Sequence, residues 1–392
     1  MINVAEAKAA ILLSVKLPKP VTMPLLKALG HVLAKDIFAS IDIPAFKQSS
    51  MDGYAIKFED HEVPLLIKGE MAAGTDVTFK INSGETARIF TGAPLPEGAD
   101  TVVMQEKVSL GHGSVSIQDP LLKVGANTRE KGSEVRAGAL AIQKNSLLTP
   151  AALGFIAGIG ETVVTVYPMP KVSVILTGRE LQAPGNPLGP GQVYESNSFS
   201  LRGALFQAGI HDVQLFTAED DLLKLKAILS KAMEISDVVL LTGGVSVGDY
   251  DFVVEAAALC GVKQVFHKVK QKPGKPLYFG VLGDKLVFGL PGNPSSVLNC
   301  YYQYVLPAIE AISGKTVTDR FATAVMQKAY EKGAGLTHFI KAVFDGGMVS
   351  PLTAQESFRM SSFAAANCMI CLDEEKTHFK EGEAVKVYML PL

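Results

Sequence analysis

The stretch Val238-Val-Leu-Leu-Thr-Gly-Gly-Val-Ser-Val-Gly-Asp-Tyr-Asp251 decides the fold of this chain. Its first five residues form a continuous apolar run, which is typical of a strand buried on both faces of a parallel sheet. Residues 172–177, 213–217 and 286–290 show the same pattern, and helical segments separate them. Repeated strand–helix–strand units predict right-handed crossovers and an open, mostly parallel α/β sheet.

Helix caps support this interpretation. Asn197 or Ser198 is placed to cap a helix that runs to Ala208, and Asp220 to cap a helix over residues 221–232. A third helix is expected to open at Ser295, behind Pro294, and to continue to Ile312. The sequence therefore predicts an α/β domain over residues 169–314.

The other regions of the chain show different patterns of apolar residues. Apolar residues recur at helical spacing from residue 4 to about 42, and a further helix is expected over 149–159. Short β-type runs separated by Gly and Pro turns fill the interval between them and also the last 78 or so residues. We predict a multidomain α/β protein with these parts: a helical linking domain (1–42 and 140–168), a β-rich insertion (43–139), the α/β domain (169–314) and a small C-terminal β-barrel-like domain (315–392).

Composition excludes several classes. The 392 residues are 48% hydrophobic and 19% charged with a net charge of −2, which argues against a disordered chain and against a nucleic-acid or anionic-membrane binder. No apolar run is long enough to span a bilayer, and residues 9–15 lack the features of a secretion signal. Four cysteines are too few for a disulfide scaffold, which favours a cytoplasmic location. Cys368 and Cys371 are expected to be structural.

Three loops are expected to share one edge of the α/β sheet, where ligands bind beyond the carboxyl ends of the strands. They are residues 177–181, 242–251 and 290–296, and each holds glycine that lets a ligand approach the backbone. The alternative is that these glycines only form turns and that Asp249 or Asp251 is an N-cap. The segment Gly69 to Gly74 is followed by Thr75 where a P-loop requires Lys, which argues against a Walker-type ATPase.

A basic cluster follows at Lys268, Lys270, Lys272 and Lys275. In an extended segment the first three would project on one face, and the Pro-Gly turn would bring Lys275 beside them. The alternative is a solvated hairpin, but a basic row beside an anion-binding edge favours an anionic ligand. His267 is left open between a ligand contact and an ordinary strand residue.

Acidic residues fall at the same loops: Glu180, Asp220, Asp221, Asp249 and Asp251. Carboxylates that crowd together repel unless a cation lies among them. Mg²⁺ takes one or two carboxylates and completes its shell with water and phosphate oxygens. A magnesium ion that bridges these acids to a phosphate is the resulting hypothesis, and phosphoryl-type chemistry by positioning and charge neutralisation needs no catalytic histidine.

Five groups of residues resemble the molybdopterin molybdenumtransferase (MoeA) family, which is related to the C-terminal domain of gephyrin. They occur in order along the chain as Ser49-Ser-Met-Asp-Gly-Tyr-Ala55, Phe90-Thr-Gly-Ala-Pro-Leu-Pro-Glu-Gly-Ala-Asp100 with Val102-Val-Met-Gln-Glu106, Gly243-Gly-Val-Ser-Val-Gly248, Lys272-Pro-Gly-Lys-Pro276 and Leu290-Pro-Gly-Asn-Pro294. The resemblance implies a transferase of molybdenum cofactor biosynthesis. Such an enzyme takes adenylylated molybdopterin and molybdate, releases AMP with the help of Mg²⁺, and leaves molybdenum on the dithiolene sulfurs.

The resemblance also implies site residues. Catalytic roles fall on Asp52, Thr91, Glu180, Asp251, Lys272 and Lys275, with Glu180 and Asp251 as the metal ligands. Cofactor-binding roles fall on Thr177, Gly178, Asp220, Gly243, Gly244, Ser246, Gly248, Asp249, Lys268, Pro291, Gly292, Asn293, Pro294 and Ser295. In this family the residues that match Asp52 and Thr91 complete the site of the other subunit, so a homodimer with shared sites is implied. A molybdopterin adenylyltransferase and acceptor molybdoenzymes are the other expected partners.

Two positions depart from the family pattern: Arg179 stands where many relatives carry Asp, and Glu134 stands where Asp is commoner. Two other functions compete with the transferase. A molybdopterin adenylyltransferase or nucleotide pyrophosphatase would share the Gly-Gly-Val-Ser loop but would not need the Ser-Met-Asp-Gly-Tyr insertion or the C-terminal β domain. A non-catalytic scaffold like gephyrin would tolerate loss of the acids and lysines, which are present here.

Overall fold

The structure is a computed structural model, and it describes residues 1–245, 252–317 and 320–391. The chain divides into two compact units. One contains residues 1–21, 30–32 and the chain from Tyr167 onward, and the other contains residues 22–29 and 33–166.

The first part of the chain is mostly strand. Its elements are α1 (Val4–Ser14), β1 (Val21–Pro24), β2 (Val32–Leu33), β3 (Ile37–Phe38), β4 (Gln48–Ser49), β5 (Gly53–Ile56), β6 (Leu65–Met71), β7 (Glu85–Ile89), β8 (Thr101–Met104), β9 (Val108–Gly111), β10 (Ser114–Ile117), β11 (Thr128–Arg129), β12 (Leu140–Ile142), α2 (Pro150–Gly158) and β13 (Val163–Tyr167). Six strands form a sheet in the order β8-β5-β7-β6-β10-β9. The predicted run of short strands in this region is therefore observed.

Within the stretch predicted as helical, α1 ends at Ser14 and a short 3₁₀ helix, Leu25–Ala28, follows. A capping box of Asn3 and Glu6 starts α1, and prolines at positions 18, 20 and 24 favour extended backbone after it. Ala7 and Ile11 of α1 are buried in the same core as Val174 and Phe288, and α1 lies in the first of the two compact units. The predicted domain boundaries stay predictions.

The middle part of the chain alternates strand and helix. Its elements are β14 (Val172–Thr177), β15 (Leu181–Gln182), β16 (Val193–Tyr194), α3 (Asn197–Gln207), β17 (Val213–Ala218), α4 (Leu222–Ile235), β18 (Val238–Thr242), α5 (Phe252–Leu259), β19 (Lys263–His267), β20 (Gln271–Lys272), β21 (Tyr278–Leu282), β22 (Lys285–Leu290), α6 (Pro294–Cys300) and α7 (Leu306–Ile312). A π-helical turn, Tyr301–Val305, joins α6 to α7. The main sheet has the order β17-β14-β18-β22-β21-β19.

The predicted open α/β sheet is confirmed. The four predicted strands pair in parallel, and β21 and β19 extend the sheet in antiparallel fashion. Alternate residues of β14 enter opposite cores: Val174 and Leu176 pack on one face, and Ile175 packs on the other. Burial on both faces explains why β14, β18 and β22 lack polar alternation, whereas β17 at the sheet edge is partly exposed.

Two predicted caps are wrong. Asp221, and not Asp220, caps α4, because its Oδ1 accepts from the amide of Lys224 at 2.9 Å. At α3 the carboxylate of Glu195 accepts from the amide of Ser198 at 2.8 Å, in place of a cap by Asn197 or Ser198. Asp220 is thereby left at the carboxyl edge of the sheet.

The last part of the chain forms a closed barrel. Its elements are β23 (Phe321–Met326), β24 (Tyr330–Glu331), β25 (Thr337–Asp345), β26 (Met348–Pro351), α8 (Ser361–Ala364), β27 (Cys368–Leu372), β28 (His378–Phe379) and β29 (Ala384–Met389). The strands β25-β26-β23-β29-β27 close by pairing β27 with β25, which confirms the predicted C-terminal barrel. Cys368 is buried in the barrel core, and all four cysteines are free. Across the described residues, none of the helices combines the length and apolarity that crossing a membrane requires.

Candidate functional site

Three loops meet where β14, β18 and β22 end. The hydroxyl of Thr177 donates to the carbonyl oxygen of Thr242 at 3.0 Å, which ties the first loop to the second. The amide of Gly243 donates to the carbonyl oxygen of Leu290 at 3.2 Å, which ties the second loop to the third. The carboxyl edge of the sheet is thus one connected surface.

A cavity of about 410 Å³ lies at this edge. It is lined by Thr177, Gly178, Glu180, Leu181, Asn197, Asp220, Thr242, Gly243, Gly244, Val245, Pro276, Pro291, Gly292 and Asn293. Nine of these were predicted from the sequence, and all nine come from the three edge loops or from Asp220. Five lining residues were not predicted as site residues: Leu181, Asn197, Thr242, Val245 and Pro276.

Glycine is required where the second loop crosses the first. Gly243 and Gly244 have φ values of +84° and +63°, which L side chains rarely adopt. A Cβ on Gly243 would lie 2.8 Å from the hydroxyl oxygen of Thr177 and 2.9 Å from its carbonyl oxygen. A side chain at Gly243 would therefore collide with the first loop, and the positive φ favours glycine at both positions of the cavity wall.

The first loop folds its acidic residue back on itself. A Cβ on Gly178 would lie 2.8 Å from both carboxylate oxygens of Glu180, so that carboxylate lies over the glycine. Glu180 is exposed and lines the cavity. Across the loop, Arg179 donates from its amide to a carboxylate oxygen of Asp220 and from its guanidinium to the Asp220 carbonyl oxygen, each at 3.3 Å. Arg179 thus ties the first loop to Asp220, two residues after the end of β17.

Asn197 joins the third loop to α3. Its side-chain amide donates to the carbonyl oxygen of Gly292 at 2.9 Å, and its Oδ1 is buried and has no hydrogen-bond partner within residues 1–245, 252–317 and 320–391. From the sequence, Asn197 was predicted only as a helix cap. Its sequence neighbours do not indicate a contribution to the cavity.

The C-terminal barrel supports the third loop from the other side. Asn293 donates from its side-chain amide to the hydroxyl oxygen of Ser357 at 2.9 Å, and the amide of Ser295 donates to the Ser357 carbonyl oxygen at 3.1 Å. Pro294 is the first residue of α6, and Ser295 is fully buried. Pro294 and Ser295 are outside the cavity lining, so they shape the loop from behind.

The basic cluster does not form a single row. Lys268 has a φ of +71°, which interrupts the extended run, and Lys270 forms an ion pair with Glu374 at 2.6 Å. The predicted period-two arrangement of Lys268, Lys270 and Lys272 is therefore wrong. Lys272 and Lys275 are exposed, and their loop reaches the cavity at Pro276. Lys268, Lys272 and Lys275 themselves are not among the lining residues.

His267 ends β19 beside this loop. It is half-buried, and burial is the main cause that lowers its pKa below the ordinary value. Its Nε2 lies 3.5 Å from the carbonyl oxygen of Val245, which lines the cavity. Both interpretations of His267 stay open.

Asp52 and Thr91 form a separate pair in the other compact unit. The amide and the hydroxyl of Thr91 each donate to the same carboxylate oxygen of Asp52 at 2.8 Å. These two bonds, the amide first, lower the pKa of Asp52. The motifs around residues 52 and 91 therefore meet in space and hold an ionised carboxylate.

Ser246, Gly248, Asp249 and Asp251 lie outside the described residues. Within the described ranges there is no group of three or more His, Cys, Asp or Glu side chains that could hold a metal ion. Glu180 and Asp220 both line the cavity, however, and Mg²⁺ in proteins commonly uses one or two carboxylates with water and phosphate oxygens. The described part of the cavity wall therefore offers two carboxylates, the number that such a magnesium ion commonly takes from a protein.

Comparison with known proteins agrees with this architecture. Residues 2–160 match the domain described as "MoeA N-terminal region (domain I and II)", residues 173–311 match "Probable molybdopterin binding domain", and residues 323–390 match "MoeA C-terminal region (domain IV)". The cavity and its three loops all fall within the second match.

Relatives align over almost the whole chain. A protein of Haemophilus influenzae named molybdopterin molybdenumtransferase is 32% identical over 99% of this chain and 98% of its own. A protein of the same name from Staphylococcus aureus is 32% identical over 94% of this chain and 91% of its own. The crystal structure of a molybdopterin biosynthesis MoeA protein from Pyrococcus horikoshii covers 99% of both chains with a TM-score of 0.83 and 31% identity. The chain therefore belongs to the molybdopterin molybdenumtransferase (MoeA) family.

Proposed function

We propose that this chain catalyses the molybdenum insertion step of molybdenum cofactor biosynthesis. It takes adenylylated molybdopterin and molybdate, releases AMP, and leaves molybdenum on the dithiolene sulfurs. The observation that carries the proposal is the cavity at the carboxyl edge of the sheet, which has glycine backbone in its wall and two exposed lysines on the adjoining loop. Relatives aligned over the full chain bear the name of this transferase.

The charges of the site suit a substrate with several negative groups. Backbone at Gly243, Gly244 and Gly292 allows a phosphate or the pterin to approach closely, because no side chain intervenes. Lys272 and Lys275 would neutralise charge on the anhydride and on molybdate. These lysines act by electrostatics, since phosphoryl-type transfer depends mainly on positioning and charge stabilisation.

Magnesium is part of the proposal. Glu180 from the cavity wall and Asp251 would hold the ion against the anhydride phosphate, and the ion would stabilise the charge that develops on the departing AMP. Normal magnesium-dependent turnover by an Asp251→Asn variant would remove Asp251 from this role.

The decisive experiment measures AMP released from adenylylated molybdopterin by chromatography, with and without molybdate and with and without Mg²⁺. We expect release that requires both ions and that yields a pterin able to activate a molybdenum-free acceptor enzyme. AMP release that ignores molybdate would indicate a pyrophosphatase. No release under any of these conditions would contradict the proposed function.

We further propose that the protein is a homodimer in which Asp52 and Thr91 of the second subunit complete each site. We also propose that it is cytoplasmic, receives its substrate from a molybdopterin adenylyltransferase and passes its product to molybdoenzymes. Mixing and reassociating inactive Asp52→Asn and Lys275→Ala variants tests the shared site. If each site uses both subunits, about a quarter of wild-type activity should return, because about half of the dimers in a statistical mixture carry one intact site. No recovery after verified subunit exchange would contradict a shared site.

A further inference from the structure

The loop that carries Lys272 and Lys275 is held from behind by buried amide side chains. Only Pro273 and Gly274 lie between the two lysines, and the carbonyl oxygens of both residues accept a hydrogen bond. Asn299 donates to the Pro273 carbonyl oxygen at 3.0 Å, and Gln271 donates to the Gly274 carbonyl oxygen at 2.9 Å. The backbone between the lysines is thus fixed while both ammonium groups face solvent.

Tyr304 fixes the orientation of the Gln271 amide. The Tyr304 hydroxyl donates to Oε1 of Gln271, so Nε2 must face the Gly274 carbonyl oxygen. With the amide turned over, two acceptor oxygens would face each other at the Gly274 carbonyl, which buried polar groups avoid. Gln271 is 0% exposed and Tyr304 is 1% exposed, so neither bond has water as an alternative partner.

The loop also packs tightly against α6 and the π-helical turn. A Cβ on Gly274 would lie 2.6 Å from the sulfur of Cys300 and 3.0 Å from Nε2 of Gln271. Tyr304 belongs to the π-helical turn Tyr301–Val305, a rare conformation that is frequent at functional sites. The turn and the loop form one buried contact around the Gln271 amide.

We propose that Gln271 is a positioning residue for Lys272 and Lys275, with Tyr304 as the group that orients it. The proposal deepens the proposed function and depends on it, because it assumes that these lysines meet the anionic substrate. Charges held in place before the substrate arrives stabilise a transition state without reorganisation, whereas misplacement of about 1 Å can cost up to about 100-fold in rate.

The test compares two tyrosines of the same turn. Tyr304→Phe removes the hydroxyl that orients Gln271, and Tyr301→Phe removes an equally buried hydroxyl that donates to the Ala204 carbonyl oxygen at 2.9 Å, away from the loop. We expect both variants to lose similar stability. Only Tyr304→Phe should lower kcat/KM for AMP release, by about threefold, and Gln271→Met should lower it by about tenfold.

Equal losses of kcat/KM in the two tyrosine variants would overturn the proposal, because stability alone would then explain them. Wild-type kcat/KM in Gln271→Met would also overturn it. Should Gln271→Met fail to fold, the two tyrosine variants decide the question.

A double-mutant cycle tests whether Gln271 acts through Lys275. If Gln271 acts through Lys275, then Lys275→Ala should cost about tenfold less in the Gln271→Met background, and about threefold less in the Tyr304→Phe background, than in the wild type, because residues that act as a unit are non-additive. Strict additivity would contradict the proposal.

Hydrogen exchange separates this inference from the proposed function. Amides of residues 268–277 should exchange about tenfold faster in Tyr304→Phe than in Tyr301→Phe, since the loop loses part of its support. The exchange rates do not depend on activity. A wild-type protein that releases no AMP would contradict the proposed function, but the exchange rates would still test whether Tyr304 supports the loop. Equal exchange in the two variants would overturn the positioning role.

Discussion

Two buried lysines of the C-terminal domain, Lys341 and Lys332, contrast with Lys272 and Lys275 of the site loop. Lys341 is 2% exposed, and its Nζ donates to the carbonyl oxygens of Ala354, Glu356 and Arg359 at 3.0, 3.4 and 3.0 Å. Lys332 is 9% exposed and is surrounded in the same way by the carbonyl oxygens of Gly333, Leu336 and Glu374. Burial lowers the pKa of both lysines.

Lys272 and Lys275 differ in each respect. Both are exposed, and neither has a hydrogen bond or ion pair from its side chain in the portion of the chain that the structure describes. An ammonium group saturated by carbonyl oxygens has no capacity left for a ligand, whereas an exposed and unpaired one can bind an anion at little desolvation cost. The comparison assigns a structural role to the barrel lysines and a binding role to the loop lysines.

The largest expected effect is the loss of stability on substitution of Lys341 in the barrel. Lys341→Met leaves three backbone carbonyls without their shared donor, and we expect it to lower the free energy of unfolding by about 3–5 kcal/mol. Urea unfolding measures the loss, with Lys328→Met as the control at an exposed barrel lysine, where the change should stay within about 0.5 kcal/mol. A loss below about 1 kcal/mol for Lys341→Met would show that the carbonyl cage is not a major support of the barrel.

On the site loop we expect a loss of activity without a loss of stability. Lys275→Ala should lower kcat/KM for AMP release by about 100-fold, a size that is typical for removal of one charge-stabilising group, and should leave the unfolding midpoint unchanged. Lys263→Ala is the matched control, because Lys263 is an exposed lysine on β19 outside the cavity lining. The comparison fails if Lys275→Ala destabilises the fold as Lys341→Met does, or if its kcat/KM equals that of the control.

His338 connects the two sets of lysines. It lies on β25 opposite Lys272 in the strand register, and its pKa is lowered to about 4, mainly by burial and further by Lys332 and Lys272. The unfolded chain binds a proton on this histidine below its ordinary pKa of 6.5, and the folded chain does not do so until about pH 4. The stability contributed by neutral His338 should therefore be present above pH 6.5 and be lost progressively as the pH falls toward 4, by roughly 2–3 kcal/mol.

Urea unfolding at several pH values measures this dependence. His338→Gln should remove it, and Lys272→Ala should move its lower limit toward a higher pH, because one neighbouring positive charge is lost. A pH dependence that is the same in wild type and in His338→Gln would show that other groups cause it.

Much of the fold could be predicted from the sequence. Buried parallel strands give continuous apolar runs, and residues 172–177 and 238–242 were assigned with their observed limits. After Ser14 the helical pattern yields a short 3₁₀ helix, Leu25–Ala28, and no long helix. Leu25, Ala28 and Leu33 pack in a small core with Leu148 and Ile156, and tertiary contact there outweighs local periodicity.

The site was less predictable. The glycine loops at the carboxyl edge of the sheet could be predicted, because the sheet topology alone brings Thr177, Gly243 and Gly292 together. The residues that support them give no such signal. Ser357 reaches Asn293 from the barrel, and Tyr304 reaches Gln271 through a π-helical turn, and neither the spacing nor the composition of the sequence indicates these long-range contacts.

Calorimetric titration of adenylylated molybdopterin into the protein, with Mg²⁺ present, tests the binding role of the loop lysines most directly. The wild type and Lys263→Ala should bind the conjugate with an affinity that falls as salt rises, because exposed ammonium groups provide part of the attraction. The doubly substituted Lys272→Ala/Lys275→Ala protein should keep its fold and lose at least about 10-fold in affinity, together with most of the salt dependence. Equal affinity and equal salt dependence in the wild type and the double variant would contradict the assignment.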